Sequence, residues 1–386
     1  MNKYFFHLEN LKPKWEKENI TFEEATFGLL TYNYYIKYKD KKEYFLKIYR
    51  HKNSNVDKYT NINKLGFGGK ILYTFDEGHI EELLDGKNPS YQDFNGDFYK
   101  QIAIEIRKYH QKTNMNHNNL NMSNIILNDN SLKIINYEFS DDLNIYYDLA
   151  NFLVENIYNY NNKEWYRYDL SKFPSKCHFD LFCKEYFQEN NIELLEIHQN
   201  KILNEIQNVI NFWINWIDSF AEPDYILYKL YRKKLLDINF KNLFNNKVIY
   251  CDGCFDLPHT GHLSFFKKIF NLSCKKLLVG ILSDENVASY KRTPILNLQT
   301  RSEIISSFKY VNNIIKDCPF NRIEKSFLDF YGIDLVVYGG DPNIKDPLGT
   351  WEYHYSIPFQ ENCLRMIDYS SVISTSWIID KINNKI

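Results

Sequence analysis

Glycine and proline are scarce, 14 and 10 of 386 residues, and no stretch rich in them forms a long flexible linker. Charge of one sign is missing as well. Lys and Arg number 47 against 49 Asp and Glu, a net charge of −2, so there is no electrostatic case for a nucleic-acid or anionic-membrane partner. No uninterrupted apolar run approaches the roughly 20 residues that span a bilayer. The opening Met1-Asn2-Lys3-Tyr4-Phe5-Phe6-His7 lacks the apolar core and small-residue cleavage site of a signal peptide, so none is expected. The seven cysteines are scattered and odd in number, which argues against a disulfide scaffold and for a cytoplasmic setting. Cys251 and Cys254 form a C-x-x-C, but no second pair completes a tetrahedral zinc site, and no metal ligand set is expected.

What is plentiful is aromatic: Tyr and Phe dominate a 17% aromatic share. The abundant Asn, Lys and Ile look like a coding bias and carry little functional meaning. At this length two domains are expected, 1–245 and 246–386. In the second, Val248-Ile249-Tyr250 reads as a strand, Leu263 to Phe270 as a helix, and Lys276 to Leu282 as a buried parallel strand. A helix over 300–308, a strand over 311–315, a helix over 322–331 and a strand over 335–338 continue the alternation. The pattern predicts an α/β doubly wound, Rossmann-like sheet with its site beyond the carboxyl ends of the strands.

At the first strand-to-helix turn stands Cys251-Asp252-Gly253-Cys254-Phe255-Asp256-Leu257-Pro258-His259-Thr260-Gly261-His262. Two imidazoles three residues apart, beside free N–H groups at the positive end of a helix, suit a polyphosphate. The pattern G-x-F-D-x-x-H-x-G-H, Gly253 to His262, resembles the cytidylyltransferase family, and the resemblance covers about residues 247–380. It implies transfer of CMP from CTP, with Mg²⁺, to a phosphorylated alcohol. His259 and His262 would then stabilise the α-phosphate transition state and the departing pyrophosphate, and Lys291 would contact phosphates. The resemblance also assigns Gly253, Phe255, Asp256, Gly261, Arg301, Asp341 (in Gly339-Gly340-Asp341) and Ile373-Ser374-Thr375-Ser376 to the nucleotide. Ser374 and Thr375 suit helix caps equally well. Where the family has an arginine, this chain has Tyr369, so Arg365 or another cation must supply that charge.

Asp252 matches an aspartate of members that use phosphoethanolamine or phosphocholine, where it faces the cationic head group. Phe320 and Tyr353, or Trp351 beside it, are candidate aromatic walls for that ammonium. Phosphoethanolamine comes first and phosphocholine second. Relatives form dimers, so a homodimer through this domain is expected.

In the first half, Tyr34 to Tyr38 and Tyr44 to Tyr49 read as strands joined by a Lys39-Asp40-Lys41-Lys42 turn. The runs from His117 to Ile126, Lys133 to Ser140 and Tyr147 to Asn151 make residues 20–240 resemble the choline/ethanolamine kinase family, an α+β protein-kinase-like fold. Residues 28–33 read as a loop of the kind that covers phosphates, and Lys47 as a strand lysine placed to reach them; the resemblance implies a loop His117, a metal-binding Asn124, and an ammonium site of Trp213, Trp216 and Glu138. The family's catalytic base is here Asn119, and its metal-binding Asp is Asn136. The residue that should pair with Lys47 falls near Asn61. An amide takes no proton and is a poor metal ligand, so a pseudokinase that binds ATP or an amino-alcohol is expected. The rival readings are a working kinase–cytidylyltransferase and a non-enzymatic nucleotide or amino-alcohol binder.

Overall fold

The computed structural model describes residues 4–25, 31–49, 56–129, 131–160, 162–218, 223–272, 274–340, 353–369 and 373–383. The chain divides into two units. One comprises Met1–Phe94, Lys100–Phe173 and Cys183–Ile238; the other comprises Asn95–Tyr99, Pro174–Phe182 and Asn239–Ile386.

The first unit opens with α1 (Phe5–Leu11) and an antiparallel sheet in the order β1-β2-β3-β5-β4. Its strands are β1 (Ile20–Glu24), β2 (Thr31–Tyr38), β3 (Lys41–Tyr49), β4 (Ile71–Phe75) and β5 (Gly78–Glu82), with α2 (Val56–Lys64) after β3. Lys39 and Asp40, at φ 49° and 63°, form the two-residue turn between β2 and β3, the left-handed pair whose twist suits a hairpin. Of the expected loop over 28–33, Thr31–Asn33 begin β2, and 28–30 lie outside the described residues.

After α3 (Gly96–Thr113) come the pair β6 (Met115–Asn116) and β9 (Asp141–Asp142), which flanks the hairpin of β7 (Ile125–Asn128) and β8 (Ser131–Ile134). The helices α4 (Ile145–Glu155), α5 (Lys176–Phe187), α6 (Ile192–Ile217), α7 (Pro223–Leu235) and α8 (Phe240–Leu243) follow in the chain; residues 96–99 of α3, residues 176–182 of α5 and all of α8 count with the second unit. Buried positions of α6 recur at Leu195, Gln199, Ile202, Ile206, Val209, Ile210, Trp213 and Ile217, the stripe of an amphipathic helix. That stripe lies on α4, which is buried over its last eight residues, so the two helices form the centre of the unit.

The second unit is a parallel sheet in the order β12-β11-β10-β13-β14. Its elements are β10 (Lys247–Gly253), α9 (Thr260–Phe270), β11 (Cys274–Ile281), α10 (Asp284–Tyr290), α11 (Leu298–Ser306), β12 (Asn313–Lys316), α12 (Lys325–Tyr331), β13 (Leu335–Gly340) and β14 (Leu364–Asp368), then the helix Thr375–Asn383. Both sheet faces are covered. Along β10, Ile249 and Cys251 join one apolar cluster while Val248 and Tyr250 join the other; Val279 and Leu278 of β11 divide in the same way. This explains why these strands read as continuous apolar runs. The chain reverses direction across the sheet at β10, between β11 and β13, and such switch points open a crevice at the strands' carboxyl ends. Among the described residues no helix is long and apolar enough to cross a membrane.

Candidate active site

A cavity of about 310 Å³ lies at that switch point. Asp252 and Gly253 reach it from the end of β10, Gly339 from the end of β13, His262 and Phe265 from α9, and Tyr290 with Lys291 from the end of α10. Cys254, Phe255, Asp256, Val287, Arg292, Tyr369 and Thr375 complete the wall. A Cβ on Gly339 would meet the Tyr369 Cβ at 3.0 Å, so glycine allows the last strand's exit to close over β13.

The two histidines cap their own helix. The Gly261 N–H donates to His259 Nδ1 (3.1 Å), and the His259 N–H donates to His262 Nδ1 (3.3 Å). Each Nδ1 is therefore an acceptor, and the ring proton of each sits on Nε2. The rings stack with centroids 4.0 Å apart. Burial, then the charges of His259 and Lys291, pushes His262 down to about 3; burial also lowers His259. At neutral pH both are uncharged N–H donors. The first-turn Gly261 N–H, expected to be free for a ligand, is taken by His259.

Asp256 shapes the wall. Its buried carboxylate accepts the Ile295 and Leu296 N–H groups, both at 3.0 Å, and pairs with Arg292 at 3.3 Å. It thus fixes the segment that carries Lys291 and Arg292. Arg292 was not singled out from the sequence, yet it brings a second cation to the cavity where Arg365 had been considered. Arg365 is exposed on β14 and is not part of the cavity wall.

Arg301, assigned to the nucleotide by resemblance, is fully buried and turned inward. It donates to the carbonyls of Leu296 (2.9 Å), Cys254 and Leu282 (2.8 Å) and pairs with Asp284. Its planar fork ties the ends of β10 and β11 together, so it positions the site rather than lining it. The hydroxyls of Ser374 and Thr375 are also engaged. Ser374 Oγ accepts the Trp377 N–H (3.1 Å) as a helix cap, and Thr375 Oγ1 donates to the Asp256 carbonyl (2.7 Å). Ile373 precedes them, half-buried, and Ser376 is exposed in the first turn; Asp341 and Trp351 lie outside the described residues.

On the same cavity wall Asp252 is half-buried, with its side chain 5% exposed, and accepts three donors. These are Tyr355 OH (2.7 Å), His354 Nε2 (2.8 Å) and Tyr250 OH (3.2 Å). Tyr355 takes the place expected for Tyr353, which is exposed beneath the Arg322 guanidinium. The cause is register: Tyr355 stacks on Tyr338 of β13, and that contact turns it toward the sheet. Phe320 stacks on Tyr290 at 5.6 Å, one layer behind the wall.

In the first unit the kinase-like positions form one hydrogen-bonded chain. Buried Lys47 donates to Tyr59 OH (3.0 Å) and to Asn136 Oδ1; Asn136 Nδ2 donates to Asn124 Oδ1 (2.6 Å), and Asn124 Nδ2 to the Asn119 carbonyl (2.8 Å). The acid that shares Lys47's field is Glu81 of β5, not a residue near Asn61. Asn119 Oδ1 accepts from Asn121 (2.8 Å). His117 is buried, donates from Nε2 to the Ile135 carbonyl (2.8 Å), and is pushed by burial down to about 4. Asp148 accepts the His117 and Asn118 N–H groups, both at 2.8 Å, which holds the loop's shape.

The expected ammonium site is arranged differently. Glu138 accepts from Thr31 Oγ1 (3.0 Å), while Trp213 and Trp216 pack on Phe139. The acid and cation near Trp213 are Glu155 and Arg232, an ion pair with the guanidinium 5.7 Å from the Trp213 ring centre.

Residues 250–378 match the cytidylyltransferase-like family, and residues 111–220 match the choline/ethanolamine kinase family. An ethanolamine-phosphate cytidylyltransferase of Arabidopsis thaliana is 35% identical over 108 residues, 27% of this chain and 25% of that protein. One from Dictyostelium discoideum is 31% identical over 140 residues, 36% and 38% of the two chains. The bifunctional protein HldE of Helicobacter hepaticus is 29% identical over 160 residues, 41% and 31%. The chain thus spans between 25% and 38% of the length of these relatives. Two solved structures share the fold of the first part. A choline kinase from Cryptosporidium parvum has a TM-score of 0.53 at 14% identity, covering 61% of this chain and 97% of its own. A Plasmodium vivax ethanolamine kinase has 0.50 at 17%, covering 63% and 90%. The chain thus carries a segment that matches the choline/ethanolamine kinase family ahead of one that matches the cytidylyltransferase-like family.

Proposed function

We propose that the second unit transfers CMP from CTP to a phosphorylated amino-alcohol, phosphoethanolamine before phosphocholine, and releases pyrophosphate. One observation carries this reading: neutral His262, stacked on its capping partner His259, lines one cavity together with Lys291, Arg292 and the Asp252 carboxylate. A phosphate oxygen of the alcohol attacks the α-phosphorus in line, and no bond to the protein forms. The two Nε2–H groups donate to oxygens that gain charge as pyrophosphate departs, and Lys291 and Arg292 neutralise that charge. Asp252, with Tyr355 and Tyr290 near it, receives the ammonium. These partners are fixed before the reaction starts, so little reorganisation remains.

Mg²⁺ enters as the ion of the triphosphate. That ion is left chiefly to phosphates and water; among the described residues no cluster of three or more His, Cys, Asp or Glu is placed to hold a metal. The seven free cysteines suit a reducing, cytoplasmic setting. The homodimer is carried over from the family as a proposal that sedimentation tests.

The first unit is proposed to be catalytically silent, because amides stand where a base and a metal-binding carboxylate are needed. The test is one preparation of the full chain. CTP with a panel of phosphoethanolamine, phosphocholine and glycerol 3-phosphate should release pyrophosphate fastest with the first. ATP, Mg²⁺ and free ethanolamine should give no phosphoethanolamine. Robust kinase turnover, or no pyrophosphate from any partner, would overturn the corresponding half.

A further inference from the structure

Asp252 is already occupied in part. His354 Nε2 lies 2.8 Å from Oδ2, and the side chains are 13% and 5% exposed. The His354 Nδ1 is buried with no hydrogen-bond partner among the described residues. The ring also feels the backbone carbonyls of Phe320 and Asn321. An imidazole with a carboxylate at one nitrogen and only acceptors near the other is in a setting that favours the doubly protonated cation. Burial works against that charge, but the Asp252 hydrogen bond and field outweigh it, and His354 is raised above the ordinary histidine value. Tyr250, Tyr355, Tyr290, Cys251 and Cys318, ionisable groups in the field of the pair, are all held protonated through neutral pH by burial. Arg322 is engaged by Glu324 at 2.7 Å.

We infer that His354 sets the charge an alcohol's head group meets: it holds one oxygen of Asp252, so a phosphorylated alcohol bearing an ammonium binds more tightly once His354 has lost its second proton, whereas a phosphorylated neutral alcohol does not. While His354 is a cation, the carboxylate's charge is spent and an incoming ammonium faces a like charge close by. Once the imidazole is neutral it still donates from Nε2, and one negative charge is open to the substrate. His354 thus acts through Asp252 as a positioning residue for specificity. This rests on the proposed cytidylyl transfer.

The test follows kcat/KM for phosphoethanolamine between pH 6.5 and 8.5, in the full chain and in His354→Gln. Gln keeps a neutral donor. The wild type should gain about tenfold across that range, mainly through KM, as a like charge worth about 1.4 kcal/mol is removed. His354→Gln should stay within about twofold of its high-pH value. Inhibition by glycerol 3-phosphate should follow the same pH course in both proteins. A ¹⁵N titration of the His354 ring in the wild type needs no variant: saturating phosphoethanolamine should lower its pKa, since the substrate prefers the neutral ring. Parallel profiles in the two proteins, or a His354 pKa unmoved by substrate, would overturn this inference alone. No product at any pH would remove the proposed function and this inference with it.

Discussion

His262 owes its chemistry to its neighbours. Its Nδ1 is committed to the His259 N–H, its charge is suppressed by burial, and only the Nε2 proton is left to offer. The sequence showed that two histidines belonged together, because a strand, a turn and a helix fix their spacing. It did not show which of the nearby cations face the cavity. Lys291 and Arg292 are adjacent and both line it, while Arg301, half a helix later, is consumed by three carbonyls and Asp284. The two arginines should therefore fail in different ways. Arg292→Ala should raise the KM for CTP about tenfold with little change in stability, since a partly exposed ion pair contributes little to folding. Arg301→Lys should instead cost about 2–4 kcal/mol in urea denaturation, because a point charge cannot satisfy the groups its fork now holds. The opposite division of effects would exchange their roles.

Strands and helices of the second unit were legible because both faces of the sheet are buried, so the apolar runs stand out with turns between them. Their ends were less so. The helix expected over 300–308 begins at Leu298, capped by Asn297, and the strand expected over 311–315 is Asn313–Lys316. Around Tyr353 the sequence offers aromatics at alternate positions, 351, 353 and 355, as equal candidates, and only stacking on Tyr338 selects Tyr355. In the sequence Ser374 suits either a phosphate contact or a helix cap, and the structure shows it as the cap of Thr375–Asn383. Ser374→Ala should cost about 1 kcal/mol, read as a roughly fivefold loss of amide-exchange protection in the first turn of Thr375–Asn383. Unchanged protection there would mean that the cap is not what holds that helix.

At the scale of the whole molecule, buried neutral histidines govern the response to acid. Folding pushes His117 and His178 down from 6.5 to about 4 and His262 to about 3. Below pH 6.5 the unfolded chain takes up protons that the folded chain refuses. Their contribution is intact above that pH and is lost as pH falls, on the order of 2 kcal/mol per histidine near pH 5. Calorimetry should show a melting temperature that declines steadily below pH 6.5; a flat profile down to pH 5 would contradict the burial of these rings. The first unit's likeness to kinases was readable from its loops, yet its Lys47–Asn136–Asn124–Asn119 chain became visible only in three dimensions.

The most direct test compares pyrophosphate release from CTP and phosphoethanolamine by the full chain and by His262→Ala. The wild type should release pyrophosphate and form CDP-ethanolamine, and the variant, still folded, should be slower by about 10²–10³-fold, the usual effect of removing one transition-state donor. Equal rates in the two proteins would contradict the account.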